Sequence, residues 1–102
     1  MDKSNFKEDT RYTVTWRDPA TGRLRPANLY VFRTYEKFMI ARETSGAGLL
    51  RKIPYEDVVR IVREIPVDKA QRYMVPAAVL EEKLWRDRSA MERYSTSPAL
   101  GK

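Results

Sequence analysis

The sequence predicts a mainly β protein with a C-terminal helix, its centre a small five-stranded barrel. Three observations lead there. Residues 11–17, RYTVTWR, alternate strictly between polar and apolar, which marks a half-buried strand. Residues 29–32, LYVF, are apolar at every position, as in a long bent strand that buries opposite faces in its two halves and lets a small barrel close. Residues 38–65 read as an apolar run, a short glycine-containing loop, a second apolar run, a proline-initiated turn and a third apolar run. A chain folding back on itself has that pattern. The segments expected are an N-terminal arm over 1–9, the barrel over 10–66, a C-terminal helical extension over 67–93 and a disordered tail over 94–102.

The arm mixes Lys3, Lys7, Glu8 and Asp9 with a lone Phe6. It either forms a short helical turn or stays disordered, with Phe6 available to dock on the barrel. In the first strand Tyr12, Val14 and Trp16 take one face, while Arg11, Thr13, Thr15 and Arg17 take the other; β-branched and aromatic residues reinforce the assignment. Asp18-Pro19-Ala20-Thr21-Gly22 makes a tight hairpin turn, proline setting its first position and glycine accepting a left-handed end. The return strand meets Pro26, which has no N–H to donate and so implies an edge or a bulge. A polar turn over 34–37 leads to Phe38-Met39-Ile40-Ala41, a strand buried on both faces. Ser45-Gly46-Ala47-Gly48 connects it to a short fourth strand over 49–53.

Residues 54–65, PYEDVVRIVREI, admit two readings. Val58, Ile61, Val62 and Ile65 match a helical i, i+3, i+4, i+7 stripe, with Pro54 suited to the first helical position and Glu56 and Asp57 to the first turn. Yet Val58, Val59, Ile61 and Val62 are all β-branched, which favours a strand. The reading taken forward is one helical turn at 55–57 and a strand from Val58. Beyond Pro66, Asp68 caps a short helix through Val75, and Pro76 opens a second from Ala77 to about Arg93. Its face of Leu80, Leu84 and Met91, with Trp85 beside it, lies on the barrel or on a neighbouring subunit.

Charge narrows the partner. Twenty Lys and Arg against fourteen Asp and Glu give +6. Residues 10–66 hold eleven basic and six acidic side chains (+5), residues 67–102 seven and five (+2), and residues 1–9 two and three (−1). The excess belongs to the barrel, as expected of a domain that meets a polyanion; a merely solubilising surface is the plain alternative. Without cysteine there is no disulfide, thiolate metal site or cysteine nucleophile. Without histidine the usual general base and commonest metal ligand are missing. The pairs Glu56-Asp57 and Glu81-Glu82 are explained by helix starts and solvated surface. The expectation is therefore no enzyme, no cofactor and no metal. A polar N-terminus and the lack of any apolar run of spanning length lead to the expectation of a cytoplasmic protein with no membrane span.

Candidate contact residues follow. Arg11, Arg17, Arg23 and Arg25 come from two strands joined by a short hairpin, so they are expected to share a face, where guanidinium groups hold phosphate bidentately and stack on bases. A solvated strand face is the alternative. Arg51 and Lys52 flank the loop with Gly46 and Gly48, either as a cradle for phosphate, though the spacing matches no known phosphate-binding motif, or as the favoured reading of a flexible hairpin tip. Tyr35 and Tyr55 stand at turns, either as stacking platforms for single-stranded bases or as edge-of-core packing with a wet hydroxyl. Leu80, Leu84 and Trp85 offer an apolar surface for a partner chain.

Ile53-Pro54-Tyr55-Glu56-Asp57-Val58-Val59-Arg60-Ile61 resembles the second signature of the Sm-like fold, the family that includes Hfq. There a strand ends in an isoleucine, turns tightly and resumes with hydrophobics placed like Val58 and Ile61. The run from Phe38-Met39-Ile40 through Leu49-Leu50 is similar to that family's middle strands. Over the central half of the chain the resemblance implies an Sm/SH3-like barrel. The departures are specific. Where the family grips bases with an arginine-glycine or lysine-histidine pair, this chain has Ile53-Pro54 preceded by Arg51-Lys52, and residues 27–34 hold no clean counterpart of the first signature. SH3-like barrels and bacterial pleckstrin-like domains carry similar segments.

Free strand edges on so small a barrel lead to the expectation of a homo-oligomer or a protein partner. The function expected is a non-catalytic binding module that engages RNA through a basic barrel face. The alternatives are an assembly module using the C-terminal helix and a pleckstrin-like binder of anionic lipid or protein.

Overall fold

The computed structural model describes residues 1–45, 49–86 and 90–91. A single antiparallel sheet organises them. Its strands are β1 (Thr10–Arg17), β2 (Leu24–Thr34), β3 (Phe38–Glu43), β4 (Leu50–Pro54), β5 (Val58–Pro66) and the two-residue β6 (Ala90–Met91), in the spatial order β5-β1-β2-β3-β4-β6. The mainly β expectation holds, and the closed barrel does not. β4 and β5 are not paired with each other. The free edge of β4 is taken instead by β6 at Leu50 and Arg51, and a 3-10 turn, Tyr55–Asp57, carries the chain from β4 to β5.

The sheet has two apolar faces. One buries Tyr12, Val14 and Trp16 of β1, Ala27, Leu29 and Val31 of β2, Met39 and Ala41 of β3, Ile53, Tyr55 and Val58, with Ile61 packed against them. The N-terminal arm completes this core. After a capped 3-10 turn at Lys3–Asn5, Phe6 stacks on Tyr55 at 5.7 Å and meets the edge of Tyr12 at 5.1 Å. The other face buries Tyr30, Phe32, Ile40 and Leu50 beneath Val79, Leu80 and Trp85. A bulge between Val31 and Arg33 falls in the half of β2 that is buried on both sides, since Tyr30, Val31 and Phe32 are all buried. The doubly buried strand read at 29–32 is thus present as part of one long strand. Pro26 lies where β2 extends past the end of β3, at an edge as expected. The hairpin turn is also as read: Gly22 sits at φ +71 and donates its N–H to Asp18 O at 2.7 Å.

The C-terminal helices are a correction. Residues 69–71, 77–80 and 82–85 are short 3-10 turns, and Ala90–Met91 is strand. At about 100° per residue, a helix through Ala77 would set Val79 and Trp85 roughly 120° apart and Leu80 about 140° from Trp85. No single face could bury all three. The chain buries them all by breaking into two turns on either side of an extended Glu81. The glycine loop at 46–48, the helix positions 87–89 and 92–93, and the tail over 94–102 lie outside the described residues. Among those described, no helix is long and apolar enough to cross a membrane.

Candidate nucleic-acid interface

The C-terminal segment covers the second face over β3, β4 and the end of β2, reaches Arg11 and Ile65 with Asp68 and Tyr73, and leaves the rest of β5, β1 and the start of β2 open, where Arg17, Asn28, Arg60 and Arg63 are exposed. In an antiparallel pair, directly opposed residues point to the same side. With Tyr12, Val14 and Trp16 inward, the bare side of β1 carries Arg11, Thr13, Thr15 and Arg17. Opposite them on β2 stand Tyr30, Asn28, Pro26 and Leu24. On β5, Ile65 opposes Arg11, Arg63 opposes Thr13, and Arg60 opposes Thr15. Four exposed arginines therefore share one side of the sheet: Arg11, Arg63, Arg60 and Arg17. Each row is two residues of strand from the next, about 7 Å at ~3.4 Å per residue, so the set spans roughly 20 Å.

Two irregularities in β5 create this arrangement. The pairing with β1 shifts between Thr13 and Val14 and again between Thr15 and Trp16, leaving Val62 and Val59 as extra residues, both exposed. In a regular strand Arg60 and Arg63, three apart, would point to opposite faces. The bulge at Val62 turns both outward, while Val58 and Ile61 both face the core opposite Trp16 and Val14. The helical stripe visible in the sequence is the imprint of a doubly bulged strand.

No carboxylate stands in these paired rows. Thr13 Oγ1 donates to Asn28 Oδ1 at 2.7 Å, and Arg17 Nη1 donates to the carbonyl of Gly22 at 3.2 Å. Acids flank the two ends. Asp57 feels Arg17, though burial, followed by Glu56, holds its carboxyl above the usual range. Asp68 lines a shallow cleft with Arg11, Ile65 and Tyr73.

The other sequence candidates lie elsewhere. Arg25 opposes Trp16 and so points to the inner side, 4.8 Å above the indole. There it is fixed by Asp18 at 2.7 Å and Glu43 at 2.9 Å, and its hydrogen bond holds the Asp18 carboxyl below the usual range, helped by the Ala20 N–H. Arg51 flanks the same indole at 5.8 Å. Arg23 is exposed beside the hairpin turn. The expectation of one shared face for Arg11, Arg17, Arg23 and Arg25 is corrected on this point, because Arg25 pairs across from an inward residue. Lys52 donates to the Trp85 carbonyl at 2.7 Å and lies over Phe38. Tyr55 is buried, its hydroxyl donating to Tyr35 O at 2.6 Å, and Tyr35 stacks on Phe38 at 4.8 Å; neither shares the arginine face. Leu80 and Trp85 are buried and Leu84 half-buried against the protein's own sheet, the first of the two places expected for that apolar set. Arg60 and Arg63 escaped the sequence reading because strict alternation cannot place both outward.

Comparison with known proteins finds no matching family model, curated protein or solved structure. The functional reading rests on the face itself.

Proposed function

We propose that the chain is a non-catalytic binding module for nucleic acid, RNA first, held on the open face of β5, β1 and β2. One observation supports it above the others: four exposed arginines gathered in successive rows that contain no carboxylate. Guanidinium groups meet phosphate through paired N–H donors, and a set this uniform in sign, on a chain of net charge +6, favours a polyanion over a protein partner. The strand, 3-10 turn and strand that run from Leu50 to Pro66 support the Sm-like resemblance of residues 53–61 as part of this reading. Self-association through strand edges is the other part. Among the described residues β5 pairs with β1 alone, so its outer edge is the one to use.

The test is fluorescence anisotropy of a labelled uridine dodecamer at low and at physiological salt. The unmodified protein binds, and raising salt weakens it steeply. Arg60→Glu with Arg63→Glu lowers affinity at least tenfold while leaving the circular dichroism spectrum unchanged. No binding at low salt would overturn the proposal. Sedimentation with anionic vesicles in the absence of RNA binding would put a lipid surface in its place.

A further inference from the structure

We infer, on the reading just given, that the arginine face recognises the phosphodiester backbone alone: about four successive phosphates of one extended strand, with the bases turned away. Three features of the face carry this. The first is the spacing. Arg11, Arg63, Arg60 and Arg17 occupy consecutive rows about 7 Å apart, opposite or beside Thr13 and Thr15, which suits a strand laid along β1 with one phosphate per row.

The second is the absence of a stacking surface. Sequence-tolerant single-strand binders gain much of their affinity from bases stacked on aromatic rings. Among the described residues no aromatic ring lies open on the arginine rows; Tyr73, which lines the cleft at the Arg11 end, is packed edge-on against Tyr30 and has the Arg42 guanidinium over its ring at 4.3 Å. Phe6, Tyr12, Trp16 and Tyr55 fill the inner core. Tyr30, Phe32, Tyr35, Phe38, Tyr73 and Trp85 pack together on the covered part of the other face. Tyr30 does oppose Arg11, but it is wholly buried, with Tyr73 set edge-on against it at 5.0 Å.

The third is how the arginines are held. Reading a base edge requires a guanidinium fixed in one plane by its neighbours. Arg25 is fixed that way, between Asp18 and Glu43 and over Trp16, and it points to the opposite side. Arg11, Arg60 and Arg63 make no ion pair among the described residues, and the one hydrogen bond of the Arg17 guanidinium among them goes to the Gly22 carbonyl. The amide best placed to read a base, that of Asn28, already accepts from Thr13. A mobile cation meets a phosphate from many directions, but it does not discriminate among bases.

The experiment compares two labelled octamers at low salt: oligothymidine, and the same phosphodiester chain with abasic tetrahydrofuran units in place of every nucleoside. The inference expects affinities within about twofold of each other. It also expects a salt dependence with log–log slope near −3, about four phosphates at ~0.7 each for single strands. Arg63→Gln should reduce that slope by roughly 0.7 and lower both affinities equally. Abasic binding weaker by tenfold or more, with oligothymidine still bound, would overturn backbone-only recognition and leave the proposed function standing. Failure of both octamers to bind would overturn backbone-only recognition, and the uridine dodecamer at low salt then decides whether nucleic-acid binding itself stands.

Discussion

Replacing Trp85 by alanine tests how the C-terminal segment is held. The indole is wholly buried, and its N–H donates to the Val79 carbonyl at 2.8 Å. A tryptophan so placed removes roughly 150–250 Å² from water, worth about 4–6 kcal/mol at ~25 cal/mol per Å². Partial collapse of the site brings the expected cost to about 3–5 kcal/mol, and the Val79 carbonyl loses its partner as well. Against a total of about 5–15 kcal/mol for a domain this size, that is a large fraction of the margin. The loss falls first on residues 67–86, because the inner core takes no side chain from them. The midpoint of thermal unfolding should drop by at least about 12 °C, at ~4–8 °C per kcal/mol for a small domain. Limited proteolysis should cut within 67–86 while the β circular dichroism signal persists in the cold. A midpoint shift under about 5 °C with that segment still protected would refute the packing argument.

Three further outcomes follow from other parts of the molecule. Burial, ahead of any other cause, pushes the Tyr12 and Tyr55 hydroxyls up to about 12 and raises Tyr30 as well. The unfolded chain therefore ionises first, near pH 10. The stability these groups confer is complete below that point and is lost as pH rises toward 12, by up to about 1.4 kcal/mol per pH unit for each; residue-resolved NMR of the tyrosine rings showing Tyr12 or Tyr55 ionised near pH 10 with the fold intact would contradict it. Gly22→Ala meets no atom within 4 Å but must hold φ +71, so it should cost about 1–2 kcal/mol in a urea melt, and a neutral result would remove the left-handed turn. Deleting Val62 leaves Ile61 opposite Val14 and Arg63 opposite Thr13 in regular alternation, so the fold should survive with its polyanion affinity, whereas Ile61→Asp, which sets a charge against Val14 in the inner core, should destabilise the chain severely; equal damage from the two would mean that the bulge is misplaced.

Much of the fold was legible because its signals are local. β1 declares itself by alternation, and the hairpin by Pro19 and Gly22. The 3-10 turn at Tyr55–Asp57 followed by β5 came out as read, with β-branching deciding against the helical stripe. Barrel closure was not legible, since it depends on whether β4 meets β5, which follows it directly, or β6, a competition that the distant end of the chain decides. The C-terminal helices failed for a related reason: Val79, Leu80 and Trp85 all find cover on the sheet, and that gain outweighs helical propensity. Half the arginine face was visible as Arg11 and Arg17. Arg60 and Arg63 join it through a bulge, which adds one residue to the count and leaves no mark in composition. Arg25 was assigned to the wrong side because the turn between the strands sets register, and register sets the face.

The most direct measurement is a backbone amide NMR titration of the isotopically labelled chain with a short uridine oligomer at low salt. Binding on the arginine face predicts perturbations concentrated at Arg11, Thr13, Thr15, Arg17, Asn28, Arg60 and Arg63. Perturbations gathered instead on the groove between Phe38, Lys52 and Tyr55, or none at saturating ligand, would contradict it.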